Sequence, residues 1–335
     1  MKILRGDDPG NLRETVEALK SGGVVSLPTE TVYGLAADAL QPDAVRSIFE
    51  IKNRPANDPL IVHVGTIEAI RAIAHAPPIL SKLADAFWPG PLTVILEKKA
   101  CVPDLVTSGL PSVAIRIPRH PLFLEILRAL NRPLAAPSAN QHGYVSPTRA
   151  AHVVESLGDK CPIVLDGGST DHGIESTILS LLNPEDPTIL RPGPLASEHF
   201  VEIFGSPPRL AHETESSTPQ APGNFKRHYS PKVPLKLHAG IESIRKKIEE
   251  QTENLETVGV ILLNKPRAKE EWPNEIKLGW LSESNSLSEA AAGLYAILRE
   301  MDNDATIKIV LCQMPPNKGI GIAINDRLRR AATQV

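Results

Sequence analysis

The stretch KNRPANDPLIVHV (Lys52–Val64) sets Lys52 and Arg54 two residues apart, breaks the chain at Pro55 and Pro59, and enters an apolar run whose one polar side chain is His63. Two fixed cations at the mouth of a strand contribute nothing to an apolar core. The chemistry they suit is neutralisation of an anionic ligand. Similar corners recur: Thr31 follows Pro28, Arg116 precedes Pro118, Ser138 and Asn140 follow Pro137, Ser146 precedes Pro147, and Arg191 precedes Pro192-Gly193-Pro194. Each X-Pro pair disfavours helix at X and stiffens the chain beside an element end. Rigid rims at strand ends are where open α/β sheets bind ligands. One such corner is an ordinary turn; several carrying Thr, Ser, Asn and Arg point to a site.

Strand periodicity sharpens the pattern. In SVAIRI, Val113, Ile115 and Ile117 share one face, leaving Ser112, Ala114 and Arg116 on the other, with space beside the alanine for something flat or anionic. In LIVHV the core face is Leu60, Val62 and Val64, so His63 points the other way with Ile61. A lone strand histidine also serves as a satisfied structural group, and both readings stay open. Ser146-Pro147 reads as an N-cap with proline at the first helical position, a start that is itself an anion site. The run GGSTDHGIEST (Gly167–Thr177) has the composition of a phosphate cradle and equally that of a flexible loop.

The elements expected to hold these residues alternate over the first two hundred positions. Strands are expected at Val24–Leu27, Leu60–Val64, Leu92–Glu97, Ser112–Ile117 and Pro162–Asp166, with Thr177–Leu181 and Thr188–Arg191 as an antiparallel pair. Helices are expected at Asn11–Lys20, Pro42–Ile51, Ile67–His75, Ile79–Phe87, Leu122–Leu130, Pro147–Leu157 and Ser197–Phe204. This is a mixed α/β sheet with packed helices, assigned to residues 1–205. A proline-, serine- and acid-rich linker follows over 206–235, ending in NFKRHYSP, whose aromatics and cations suit either base stacking or a solvated tether. Strands near Leu235, Val258, Ile276 and Ile307, with helices near Ile241, Leu287 and Ile322, make a smaller α/β domain at 236–335.

A formal charge of -3 argues against bulk nucleic-acid or membrane-surface binding. No apolar run of membrane-spanning length occurs, and charge follows the first residues too soon for a signal peptide. Cys101, Cys161 and Cys312 lie far apart without metal-ligand or disulfide spacing, as buried thiols of a reducing cytosol would. No GxxxxGK[ST], HExxH, CxxC or GxSxG motif is present. The residues alone therefore imply an α/β protein with a cationic, hydroxyl-lined cleft for an anionic, phosphorylated ligand.

Six segments in order, PTETVYGLAAD (Pro28–Asp38), KNRPANDPLIVHV, FWPGPLT (Phe87–Thr93), VAIRIPRHP (Val113–Pro121), APSAN (Ala136–Asn140) and GIEST (Gly173–Thr177), closely resemble the YrdC-type domain. With the linker's HYSP and the tail domain, the chain resembles the long form of the threonylcarbamoyl-AMP synthase family. The resemblance implies a YrdC-like mixed twisted sheet with flanking helices and a concave cleft, the linker acting as a lid over the nucleotide, and a Rossmann-like C-terminal domain. It implies that L-threonine, bicarbonate or CO2, and ATP give threonylcarbamoyl-AMP and pyrophosphate, with Mg²⁺ held mainly by the ATP phosphates. The product would pass to separate proteins that modify tRNA, from a cytoplasmic monomer without stable tRNA binding.

By motif match, Lys52 and Arg54 are the catalytic cations. Thr31, His63, Arg116, Ala136 and Ser176 fall on the threonine pocket. Lys52, Arg54, Asp58, Ser112, Ser138, Asn140, Ser146, Arg191 and Tyr229 fall on the nucleotide, Tyr229 closing from the linker. Relatives often carry an amide where this chain has Asp58; a carboxylate there repels triphosphate unless it faces Mg²⁺ or solvent. Two other readings of the fold are weighed. An RNA-binding module would want the cations in one stripe, whereas they sit at separate turns. Carbamoyl transfer in hydrogenase maturation, which the YrdC domain also serves, would bring zinc-finger and acylphosphatase-like segments that are absent here.

Overall fold

The computed structural model of the chain describes residues 1–211, 229–250, 257–266 and 272–332. They fall into two compact units. The first holds Met1–His142, Ser146–Asp171 and the described residues from Glu175 to Ala211; the second holds Gly143–Val145, His172–Ile174 and the described residues from Tyr229 onward.

In the first unit, eleven strands build one mixed sheet: β1 (Lys2–Arg5), β2 (Val25–Leu27), β3 (Gly34–Asp38), β4 (Ile61–His63), β5 (Leu92–Glu97), β6 (Ser112–Arg116), β7 (Leu134–Ala135), β8 (Ile163–Asp166), β9 (Thr177–Ser180), β10 (Thr188–Arg191) and β11 (Arg209–Leu210). Their spatial order is β1-β8-β2-β3-β7-β4-β6-β5-β9-β10-β11. Helices α1 (Pro9–Lys20), α2 (Pro42–Lys52), α3 (Ile67–Ile73), α4 (Ile79–Phe87), α5 (Asp104–Thr107), α6 (Pro121–Leu130), α7 (Ala150–Leu157) and α8 (Val201–Phe204) accompany it. Parallel pairing of β4 with β6 and antiparallel pairing of β6 with β5 set Ile61 beside Ala114 and Ala114 beside Ile95.

Period-two alternation sorts the side chains as the sequence implies. Leu60, Val62, Val64, Val113, Ile115 and Ile117 join the main core. Ile61, Ala114, Ile95 and Ile178 form a separate small apolar patch. The pairing of β9 with β10 is antiparallel, as expected. Four central or edge strands escape the sequence pattern, among them β11, which pairs with β10 inside the stretch expected to be linker. GLAAD lacks β-branched residues, yet β3 is buried along its whole length between β2 and β7, and Gly34 lets it pass close to Ala136, where an added Cβ would lie 3.2 Å from the alanine methyl. β1 and the two-residue β7 are too short or too polar to register.

The helix expected from Pro147 is a correction. It begins at Ala150 with Arg149 as N-cap, and Ser146 caps nothing. The carbonyls of Pro147 and Thr148 accept from Tyr33 and Thr170 amides at 2.8 and 3.1 Å, which holds this segment extended. The Ser146 hydroxyl instead donates to Glu175 Oε1 at 2.7 Å.

The second unit holds β12 (Leu235–His238), α9 (Ile241–Glu249), β13 (Val258–Asn264), β14 (Lys277–Ser282), α10 (Leu287–Asn303), β15 (Ile309–Gln313) and α11 (Ile320–Ala332). Its sheet is wholly parallel in the order β12-β15-β13-β14. It also includes two short excursions of earlier chain: Tyr144 donates to Asp302 Oδ2 at 2.5 Å, and Arg299 donates to the Val145 carbonyl at 2.5 Å.

Candidate active site

Alternation turns Thr93 and Ile95 of β5, Ser112, Ala114 and Arg116 of β6, and Ile61 and His63 of β4 to the face opposite the main core. The Arg116 guanidinium is fixed on three sides. Its Nε donates to the Gly90 carbonyl at 3.2 Å, one Nη donates to the Thr31 hydroxyl at 2.8 Å, and the other lies 2.8 Å from Glu30 Oε1. Two of its nitrogens thus donate hydrogen bonds to protein, and the third faces Glu30 as an ion pair. Thr31 is itself set by Thr29, whose hydroxyl lies 2.9 Å from that of Thr31 and accepts from its amide at 3.0 Å.

His63 pairs in register with Arg116 and is almost fully buried, its ring 5.1 Å from that of Phe123. Burial first, and then the Arg116 charge, push its pKa down to about 3, so it is a neutral imidazole at physiological pH. Its Nδ1 is buried and meets no hydrogen-bond partner among the described residues. Beyond β5, the Thr93 and Ser176 hydroxyls lie 2.7 Å apart, and Arg191 reaches back from β10 to the Ser176 carbonyl at 3.0 Å and its hydroxyl at 3.1 Å.

A second cluster forms where α2 ends. Lys52 lies on the buried stripe of that helix with Ala44, Val45, Ile48 and Phe49. Asn53 then takes a left-handed conformation (φ 52°), and the Arg54 amide bonds back to the Phe49 carbonyl at 2.9 Å, so the chain reverses between the two cations. Lys52 Nζ donates to the Ser138 and Asn140 carbonyls at 2.5 and 2.6 Å. That contact ties Lys-x-Arg to Ser-x-Asn: the ammonium holds the second loop in place, with one of its three donors remaining. Burial, followed by the neighbouring Arg54 charge, holds the Lys52 pKa well below its ordinary value, against the pull of Asp58. Arg54 donates to the Asp58 and Pro59 carbonyls and pairs with Asp58 Oδ2 at 2.8 Å.

The two clusters are joined by residues 134–140. His63 pairs with Leu134, the Ala136 amide donates to the Ile61 carbonyl at 3.0 Å, and Ser138 bridges to Gly34. Lys52, Ser138, Asn140, Ala136, His63, Arg116 and Thr31 are therefore linked by successive contacts through the first unit, with Arg54 beside Lys52 and the Ser176–Arg191 pair beyond β5. Tyr229 lies in the second unit, fully buried, its ring stacked 5.6 Å from Tyr295 and 5.3 Å from the Arg327 guanidinium. The residues before it in the linker, 212–228, lie outside the described set.

Glu30, Thr93, His142 and Glu175 do not stand out in the sequence. Glu30 sits inside the quoted PTETVY run, and a carboxylate beside Thr31 is the one signal that could have marked it. His142 lies 3.7 Å from Asp58 Oδ2, with its pKa pushed down to about 4 by burial and by Arg54 and Lys52. Asp58 faces Arg54 and not solvent, which answers the repulsion anticipated for it: its charge is compensated within the protein. Buried guanidiniums without counter-charge would cost several kcal/mol, and interleaving Glu30 and Asp58 among the cations offsets that. Among the described residues, no group of three or more His, Cys, Asp or Glu side chains comes together as a metal cage.

A family model described as telomere recombination matches residues 17–193, and one described as the threonylcarbamoyl-AMP synthase C-terminal domain matches residues 195–333. The threonylcarbamoyl-AMP synthase of Pyrococcus abyssi is 38% identical over 340 residues, covering 96% of each chain. A crystal structure of P. abyssi Sua5 complexed with L-threonine superposes with a TM-score of 0.89 at 36% identity, covering 99% of this chain and 98% of that one. A variant of the same protein, with a consecutive histidine and tyrosine replaced by alanine, also gives 0.89, at 35% identity over 99% of this chain and 96% of that one. The chain belongs to the threonylcarbamoyl-AMP synthase family.

Proposed function

We propose that this protein is an L-threonylcarbamoyladenylate synthase, joining L-threonine, bicarbonate or CO2, and ATP into threonylcarbamoyl-AMP with release of pyrophosphate. The observation that carries the reading is the pairing of a neutral, buried His63 with a tethered Arg116 on one sheet face. That is a site for a small carboxylate bearing a hydroxyl, and it is continuous with the Lys52–Arg54 corner.

In this reading the threonine amine gives up a proton and forms an N–C bond to CO2, and a carbamate oxygen then attacks the α-phosphorus of ATP. The Pα–O bond to pyrophosphate breaks. The nucleophile is already anionic, so no strong general base is required; what the protein supplies is alignment and charge compensation. Arg116 takes the threonine carboxylate, His63 and Thr31 orient its polar groups, and the Ala136 backbone and Ser176 close the pocket. Lys52, Arg54 and Arg191 offset phosphate charge, with Ser112, Ser138, Asn140 and Ser146 as polar contacts. Asp58 acts through Arg54, as its counter-ion. We assign Tyr229 to the nucleotide as well, on its place in this chain's one His-Tyr dipeptide.

Mg²⁺ enters with ATP, bound to its phosphates. Asp58 and Glu175 are turned to Arg54 and Ser146, which fits an ion carried by substrate better than one held in a protein cage. No helix among the described residues is long and apolar enough to cross a membrane. We assign the enzyme to the cytoplasm as a monomer that hands its product to separate tRNA-modifying proteins. The test is pyrophosphate release from MgATP, which should require both threonine and bicarbonate; release independent of either substrate overturns the reading.

A further inference from the structure

Glu30 and Thr31 are consecutive, yet both side chains reach the Arg116 guanidinium, each at 2.8 Å. An extended chain sends neighbouring side chains to opposite faces, so this double grip requires a bend between β2 and β3. The chain bends through residues 30–32, and Thr29 is the residue that holds the bend. Its hydroxyl oxygen accepts from the Thr31 amide at 3.0 Å and from the Val32 amide at 3.1 Å, the local pattern by which a threonine side chain imitates a turn. Thr29 is 3% exposed, and no step of the proposed reaction uses it.

The same hydroxyl sets the direction of the hydrogen bonds beyond it. It donates to the Val32 carbonyl at 2.6 Å, and a carbonyl only accepts, so its one proton lies there. The 2.9 Å contact between the two hydroxyls must therefore be donated by Thr31. With that proton turned to Thr29, Thr31 presents a lone pair to Arg116 Nη1, which donates to it at 2.8 Å. One directed chain results, from Arg116 through Thr31 and Thr29 to the Val32 carbonyl, with every member buried. Hydrogen bonds linked in this way inside a protein polarise and strengthen one another.

We propose that Thr29 is a positioning residue for Arg116: it bends the chain so that Glu30 and Thr31 together fix the guanidinium that takes the threonine carboxylate. The inference rests on the reaction proposed above and adds to it that the orientation of Arg116, besides its charge, sets threonine affinity. The Lys52–Arg54 corner is held by α2 and the Ser138–Asn140 loop, so the nucleotide should not sense Thr29.

The test titrates the full chain calorimetrically with L-threonine alone and with MgATP alone. Thr29→Val keeps the branched shape and removes the hydroxyl, whereas Thr29→Ser keeps the hydroxyl and removes the methyl. Thr29→Val should weaken threonine by about tenfold, in the range of one lost buried hydrogen bond, and leave ATP within about twofold. Thr29→Ser should bind both ligands within about twofold of the parent. Equal losses of threonine and ATP in Thr29→Val would make Thr29 a fold-holding residue and overturn the proposal. Parental threonine affinity in Thr29→Val, or a tenfold loss in Thr29→Ser, would overturn it too. Should Thr29→Val not fold, Thr29→Cys carries the test, because its sulfur is a weak acceptor. A threonine-selective loss of about threefold or more is then expected, and parental affinity refutes the inference. A parent chain that binds ATP but no threonine would overturn the proposed reaction itself, and this inference with it, which keeps the two failures apart.

Discussion

Glu30 Oε1 lies 2.8 Å from a terminal nitrogen of Arg116, and both side chains are at most 3% exposed. Neither Glu30 oxygen meets hydrogen-bond geometry among the described residues, so the attraction is mainly Coulombic. Burial is the largest single influence and raises the Glu30 pKa, but the Arg116 charge and the smaller local contributions together outweigh it, leaving it below its ordinary 4.5. A carboxyl depressed on folding stabilises the protein above its unfolded pKa, and that stability is lost as pH falls through the folded value. Glu30→Gln should therefore lower the unfolding free energy at pH 7, and its deficit against the parent should shrink steadily below about pH 4.5. Denaturant melts from pH 3 to 8 measure this; a deficit independent of pH would refute the linkage.

Arg116→Ala should weaken threonine far more than ATP, by roughly 1.5–3 kcal/mol for a lost charged hydrogen bond. Calorimetric titration with each ligand separates the two. Equal losses would remove Arg116 from the threonine pocket. Because the variant strands Glu30, the double variant with Glu30→Gln should regain stability without regaining threonine affinity.

Lys52 holds the Ser138–Asn140 loop and has one donor to spare, so Lys52→Ala removes both a loop anchor and a charge from the phosphate corner. We expect kcat for pyrophosphate release to fall by about 10²–10³, the range for deleting one preorganised donor. A variant turning over near the parent rate would take Lys52 off the catalytic list.

His63 should stay neutral wherever the enzyme works, because burial and Arg116 set its pKa at about 3. Its imidazole carbon resonance, assigned by its absence in His63→Gln, should hold still between pH 5 and 8. A titration midpoint inside that window would contradict the neutral hydrogen-bonding role and favour proton transfer.

Asn53 turns the chain between the two cations with a φ of 52°, a region costly for most side chains. Asn53→Ala should cost about 1 kcal/mol of stability and Asn53→Gly much less, since glycine takes this conformation without strain. Thermal melts rank the two; an alanine variant as stable as the glycine one would mean the turn is not strained.

Which way a strand side chain points is a local matter, because it depends only on a two-residue period. The placement of His63 and Arg116 opposite the core was therefore legible in LIVHV and SVAIRI, and the ordered motifs carried the family resemblance. Partnership is not local. Lys52 meets the Asn140 carbonyl 88 positions away, and Glu30 meets Arg116 across the sheet; both contacts depend on spatial distance and burial, which no spacing encodes. Ser146 shows the boundary between the two. Its Ser-Pro signal suits a helix start, but long-range hydrogen bonds hold the next residues extended and give the hydroxyl to Glu175. Residue type and order set what chemistry the chain carries; folding decides which charges face one another, since Coulomb energy is steep in separation and strong only where water is excluded.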